Sequence, residues 1–359
     1  MAMTSESFPF DGLALHWLGG LAAASFYAIF RGVRRWSWET YWLTAGTVSW
    51  LVVPTVFAWL FTADLPGVIG HTPLAVLAWT IVCGMLWGIG AVTFGLAMRY
   101  LGLSLGMGVI LGFCAAFGTL LPPLFRGELL TILSQAPGRV VCAGVGVCLA
   151  GIALTAAAGW RKEREMSLES KRETVAEFSF SKGMLFALVS GVLSAAFAFG
   201  LAAADPIAEL SRAAGTAPLW AGLPKLVVIL WGGFASNAAW CLVLHRRKGS
   251  GAQYLTPVDP SGHRVPLLAN YLYCAAAGLT WYLQFFFYTM GESRMRGFRF
   301  ASWTLHMASI IIFASFLGLA LHEWRGSSRA SRGLLLGGIA VLVTATLVVG
   351  YGNYLSVAP

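Results

Sequence analysis

Charge is what this sequence has least of. Only 11% of its 359 residues are Asp, Glu, Lys or Arg, less than half the roughly 25% of a soluble domain. So little charge beside 58% hydrophobic residues cannot cover a water-facing surface, and an ordinary soluble globule is excluded. Cysteine is sparse as well. Its six thiols, Cys83, Cys114, Cys142, Cys148, Cys241 and Cys274, form no CxxC pair, which removes the usual zinc and dithiol arrangements. All six fall in apolar stretches and read as small packing residues. No HExxH or nucleotide-binding glycine loop is present, the GLSLG at 102–106 has the GxSxG letters only inside a continuous apolar run, and the acidic residues do not gather into a catalytic pair, so a membrane enzyme finds little support. The start, MAMTSESFPFDG, lacks a basic stretch and a small-residue cleavage site, so the first apolar run is expected to stay as an anchor.

What the chain does have is long apolar runs, each near the roughly 20 residues a helix needs to cross a bilayer. The pattern predicts ten transmembrane helices, at 13–30, 40–62, 74–98, 103–125, 139–160, 182–204, 218–245, 266–290, 302–321 and 333–353. A β-barrel would alternate polar and apolar residues over about 10 positions; these runs are continuous and twice as long. The expected fold class is therefore an all-α polytopic membrane protein.

The net charge of +9 does not point to nucleic acid, because the basic residues sit in the breaks between spans, where topology signals belong. Of the 24 Lys and Arg residues, 17 lie in the odd-numbered connections, counting Lys182 at a span edge, 6 in the others, counting Arg139 at a span edge, and Lys225 inside a span. That asymmetry puts both termini on the periplasmic side. The fifth connection, RKEREMSLESKRETVAEFSFSK, mixes both signs without apolar periodicity and reads as a solvated linker. It divides the chain into a five-helix repeat at 1–160, a cytoplasmic linker at 161–181 and a second repeat at 182–359. GMLWGIGAVTFGLAMRYLG aligns with GLTWYLQFFFYTMGESRMR, setting Gly84 and Trp87 opposite Gly278 and Trp281. With an odd number of helices per half, the second half lies upside down relative to the first, the inverted-repeat plan of many secondary transporters.

Four strings, FYAIFRGVRRWSWETYW, WGIGAVTFGLAMRYLGLSLGMG, GLTWYLQFFFY and SWTLHM, resemble the L-rhamnose-proton symporter family of the drug/metabolite transporter superfamily, and the resemblance runs over nearly the whole chain. It implies two five-helix halves in a bacterial inner membrane and uptake of L-rhamnose, or a closely related deoxy sugar, driven by protons. The proton is then the coupling ion, with no other cofactor and no obligate protein partner. Lys225, Asp205 and Glu292 are charged positions outside the family's pattern. The alternative on the same fold is an exporter of amino acids or other small metabolites, since fold does not fix substrate.

A sugar site needs hydrogen-bonding groups for hydroxyls and an aromatic face for the ring. Trp281, Gln284, Phe285 and Tyr288 fall at i, i+3, i+4 and i+7 and share one helical face. Gln284 is the candidate hydroxyl reader and Trp281 the stacking platform; the plainer reading is an aromatic packing stripe with a glutamine bonded to a neighbouring helix. Trp87, in the corresponding position of the other half, is a second platform. Tyr27, Asn237 and Asn270 are further hydrogen-bonding candidates, although a buried asparagine more often joins helices.

Proton coupling directs attention to ionisable groups within the spans. His306, about a turn and a half into the ninth span, is one candidate, or else a core histidine bonded to a backbone carbonyl. Glu39 opens the second span and is either a proton site or an interfacial partner of Arg34 or Arg35. Lys225, about two turns into the seventh span, must pair with an acid, snorkel or lose its proton; Asp205 and Glu292 are the possible partners. His16 reads as a polar residue at a wet helix end.

Overall fold

The computed structural model describes residues 11–101, 103–165, 180–295, 298–322 and 324–356. Most of the expected linker, 166–179, lies outside them. Thirteen helices are described: α1 Asp11–Ile29, α2 Trp38–Phe61, α3 Leu65–His71, α4 Leu74–Leu101, α5 Leu103–Phe125, α6 Leu129–Ser134, α7 Ala136–Glu165, α8 Phe180–Ala203, α9 Asp205–Ala213, α10 Leu223–Lys248, α11 Leu267–Arg294, α12 Ala301–Ala320 and α13 Arg329–Leu355. Among the described residues the only β pairing is an isolated bridge between Val258 and Arg264.

Eight of the helices are long and apolar enough to cross a membrane, and the protein is a multi-pass membrane protein. The other two long helices fall short of that measure for visible reasons. The well-described apolar part of α5 is only Val109–Phe125. α11, though 28 residues long, is crowded with Tyr, Trp, Asn and Gln, which lower its hydropathy without shortening it. The short helices α3, α6 and α9 went unpredicted because each is less than three turns and sits in a connection.

Each long helix packs along one or two others. α7 runs along α13, α4 lies between α8 and α10, and α1 lies along α11 and α12. Glycine permits the close approaches. A Cβ at Gly84 would strike the backbone carbonyl of Ile229 on α10, and one at Gly278 would strike that of Ala45 on α2; both substitutions would push helices apart.

α2 carries a π-helical turn at Thr47–Val52, in which the Val53 amide bonds back to Val48. Pro54 follows it and has no N–H to give to the carbonyl of Trp50, so the regular ladder is interrupted at this point. The consequence is functional in position: Trp50, 2% exposed, is turned into the middle of the bundle.

Two boundaries shift in ways that matter. α10 begins at Leu223 with Pro224 in its first turn, so Lys225 stands at the helix start and not two turns inside. α11 continues to Arg294, so Glu292 belongs to a helix and not to a connection.

Candidate functional site

A cavity of about 490 Å³ enters the bundle from one end, a volume within the roughly 300–1,000 Å³ of small-molecule sites. Its mouth is formed by the α5–α6 turn, with Arg126 and Glu128, by Gln135 between α6 and α7, and by the α11–α12 loop, with Phe298, Arg299 and Phe300. Tyr288 and Trp303 line it deeper in, and Asp205 and Glu292 supply a charged wall. Pro122 and Pro123 interrupt α5 where it borders the cavity. Pro122 has no N–H for the carbonyl of Gly118, which leaves that cavity-lining oxygen as an acceptor. Trp303 is fixed by the bond its Nε1 donates to the Cys114 carbonyl at 3.0 Å.

The wall is a four-charge cluster. Lys225, 1% exposed, donates to Glu292 Oε2 at 2.9 Å and to Asp205 Oδ1 at 3.3 Å. Arg299 reaches the same acids, Asp205 at 3.1 Å and Glu292 at 3.3 Å. Two acids and two bases cancel, so the cluster presents hydrogen-bonding groups without net charge. The arginine, in the loop, is held more firmly protonated by Glu292, with Asp205 adding to the effect against the cost of burial. Of the two partners open for Lys225 in the sequence, it takes both.

Below the cavity the bundle is filled with rings. Phe197 stacks on Phe285 at 4.3 Å and lies 5.8 Å from Trp303. Trp87 and Trp281 are 5.7 Å apart, and Trp50 meets them edge-on at 5.9 and 5.6 Å. The two expected platforms thus come together, but they pack against each other beneath the cavity, which they do not line. On the far side of Trp50 and Trp281 only a crevice of about 10 Å³ remains, bordered by Phe26, Phe30 and Trp42.

The opposite end is tied shut. Glu39, fully buried, accepts from Lys248 at 2.9 Å and from Ser250 at 2.7 Å, so its partner is neither Arg34 nor Arg35. Asn270 exchanges two bonds with the Arg34 backbone at 3.0 and 2.9 Å, and Arg35 pairs with Asp259 at 2.7 Å. Gln253 accepts from Ser37 and Thr40. These contacts clamp the α1–α2 loop to the α10–α11 loop.

The remaining candidates scatter. Gln284 is buried and bonds back to the Trp281 carbonyl at 2.9 Å. Asn237 joins helices, donating to Gly88 at 3.3 Å and to Gly233 at 3.0 Å, while Trp42 donates to it at 3.3 Å. Tyr27 is 55% exposed and packs on Phe26 and Phe30, away from the cavity. His306 is fully buried, and His16, expected at a wet helix end, is fully buried beside it. Tyr288 is the one expected substrate ligand that lines the cavity. Trp303 and Arg299 went unremarked as ligands, although Trp303 stands in the SWTLHM string three residues before His306.

A multi-pass helical bundle with a cavity of small-molecule size entering one end and its loops bonded together at the other is the construction of a carrier for a small solute. The chain belongs to the L-rhamnose-proton symport protein (RhaT) family, whose model matches residues 9–354. It is 38% identical over 342 residues to the L-rhamnose-proton symporter of Cronobacter sakazakii and 36% identical over 342 residues to that of Yersinia pestis. Each alignment covers 95% of this chain and 97% of the relative.

Proposed function

We propose that this protein imports L-rhamnose, or a closely related deoxy sugar, together with protons across a bacterial inner membrane by alternating access. The observation that carries the reading is the blind cavity, with Tyr288 and Trp303 offering ring faces and the neutral charge cluster offering hydroxyl partners. An uncharged, hydroxyl-covered solute with an apolar face suits those walls.

On this reading α5 and α11 complete ten spans, arranged as two inverted repeats at 1–160 and 182–359. Helix packing supports it. Exchanging the first five long helices for the last five turns the α4–α8 contact into α11–α1, α4–α10 into α11–α2, and α8–α5 into α1–α12, while α7–α13 maps onto itself. Gly84 and Gly278 exchange roles under the same operation. The basic residues concentrate at the clamped end, which makes that end cytoplasmic, puts both termini in the periplasm and opens the cavity outward. Trp50, Trp87, Trp281 and Phe285 then form the seal that must part for release, with Gln284 and Asn237 exposed as the seal opens. Glu39 and Asn270 serve the inner clamp. The proton is carried by ionisable groups at or behind the cavity wall, among Asp205, which lines it, and His306 and Lys225, which are buried.

The test is uptake of labelled L-rhamnose by proteoliposomes under an imposed inward proton gradient, competed by L-fucose, L-mannose and alanine. Accumulation that collapses with an uncoupler supports the reading. Folded protein that accumulates no sugar and instead exchanges alanine would replace it with the metabolite exporter.

A further inference from the structure

Two histidines face each other in the dry interior directly beneath the cavity. His16 on α1 and His306 on α12 are both fully buried, and none of their four ring nitrogens has a hydrogen-bond partner. Their ring centroids are 6.5 Å apart. Tyr288, which lines the cavity, lies 5.5 Å from His16 and 5.3 Å from His306 and so stands between the pair and the cavity. Leaving buried nitrogens unpaired costs on the order of 1–3 kcal/mol each, and two neighbouring imidazoles carrying that cost are a place where a function is served.

The backbone makes room for the rings. A Cβ at Gly291 would fall 2.9 Å from His16 Nε2, and one at Gly19 would fall 3.4 Å from His306 Nδ1. α11 and the loop after it carry charged groups on the elements packed against the pair: Glu292, one turn beyond Tyr288, Arg294, whose Cβ lies against Gly12 one turn before His16, and Arg299. α5 and α7 meet the His306 turn of α12 through the uncharged Thr119 and Cys148, which contact Thr304.

We propose that His16 and His306 together form the binding site of the coupling proton. The inference rests on the symport reading and adds to it the second histidine and the shared site. A single added proton makes both nitrogens of one imidazole donors while the neutral ring keeps one acceptor nitrogen, and rotation of the side chains about Cα–Cβ as well as Cβ–Cγ brings donor and acceptor together. One protonated ring is stabilised by its neutral neighbour, whereas two would repel, so the pair takes up one proton. Sugar at Tyr288 and Trp303, the cavity-lining rings that lie against His306, covers the cavity side of the pair, which links occupancy of the two sites.

Proteoliposomes containing wild type, His16→Gln and His306→Gln are assayed for gradient-driven accumulation and for sugar counterflow without a gradient. Wild type is expected to accumulate L-rhamnose. Each variant should lose at least tenfold of that accumulation, together with its pH dependence, while keeping counterflow within about twofold. A variant that accumulates sugar with the wild-type pH profile overturns the proposal. Wild type that accumulates nothing overturns the symport reading itself. If the variants lose counterflow as well, the decision passes to ¹⁵N-histidine NMR of the wild type. The ring signals of two of its six histidines should shift together on sugar addition at the pH of transport, with one proton taken up between them, and no change in any buried histidine overturns the proposal.

Discussion

Lys225 donates to Glu292 across 2.9 Å from a side chain that is 1% exposed. Glu292 and Asp205 both face this side chain, and those acids are in turn balanced by Arg299. Lys225→Met leaves two carboxylates against one base in a largely dry wall. Breaking a buried pair in this way costs about 3–5 kcal/mol, and melting of the detergent-solubilised protein should fall accordingly. The double variant Lys225→Met with Glu292→Gln restores neutrality and should recover a large part of the loss. Equal melting of the single and double variants would show that charge balance is not what the cluster supplies.

Tyr288 borders the cavity with its ring and hydroxyl, and its role there is separable by substitution. Tyr288→Phe keeps the ring and removes one hydrogen bond worth about 1–1.5 kcal/mol, so the KM for sugar should rise roughly tenfold with the maximal rate little changed. Trp303→Phe removes the bond to the Cys114 carbonyl as well as ring area and should cost more. Initial rates of uptake over a range of sugar concentrations separate the two. An unchanged KM in Tyr288→Phe would move the sugar away from this part of the cavity.

The long helices were legible in the sequence because lipid imposes one rule on every residue of a span: be apolar over some 20 positions and bond the backbone internally. Asp205, Glu292 and Lys225 were visible as odd charges for the same reason. Their convergence was not, because it depends on which helices are neighbours. Trp281 and Trp87 illustrate a different limit. Periodicity put them on inward faces, correctly, but a ring that binds sugar and a ring that seals a bundle follow the same spacing. Asn270 and Glu39 were likewise recognised as polar groups needing partners, while the partners, Arg34 and Lys248, come from more than 200 residues away.

The ends of α7 and α13 are joined by Glu165, which accepts from the Ser328 hydroxyl at 2.6 Å and amide at 2.8 Å and from Ser331 at 2.9 Å. The Ser328 hydroxyl and amide lower its carboxyl from 4.5 to about 2, with Ser331 and Arg161 helping. A folded value below the unfolded one means that the clamp stabilises fully above about 4.5 and fades as the pH falls through about 2. Wild type should therefore melt above Glu165→Gln at neutral pH, and the gap should close as the pH is lowered through that window. A gap that is constant with pH would assign the difference to packing and not to the ionised carboxylate.

The correspondence between Gly84 and Gly278 gives the inverted repeat a mechanical test. Each is the point where its helix touches the carbonyl of a neighbour, Ile229 on α10 for the first and Ala45 on α2 for the second. Adding a methyl group to either forces a rigid backbone contact apart, at a cost of about 1–3 kcal/mol. Gly84→Ala and Gly278→Ala should accordingly lower the melting temperature by similar amounts. Gly70→Ala, where no atom lies within 4 Å of the added carbon, serves as the control and should change little. Because both contacts lie where the two halves meet the Trp50–Trp87–Trp281 seal, both variants should also slow sugar counterflow. Destabilisation at Gly84 with tolerance at Gly278 would mean that the two halves do not use these glycines as counterparts, and the aligned Trp87 and Trp281 would lose their claim to equivalent roles.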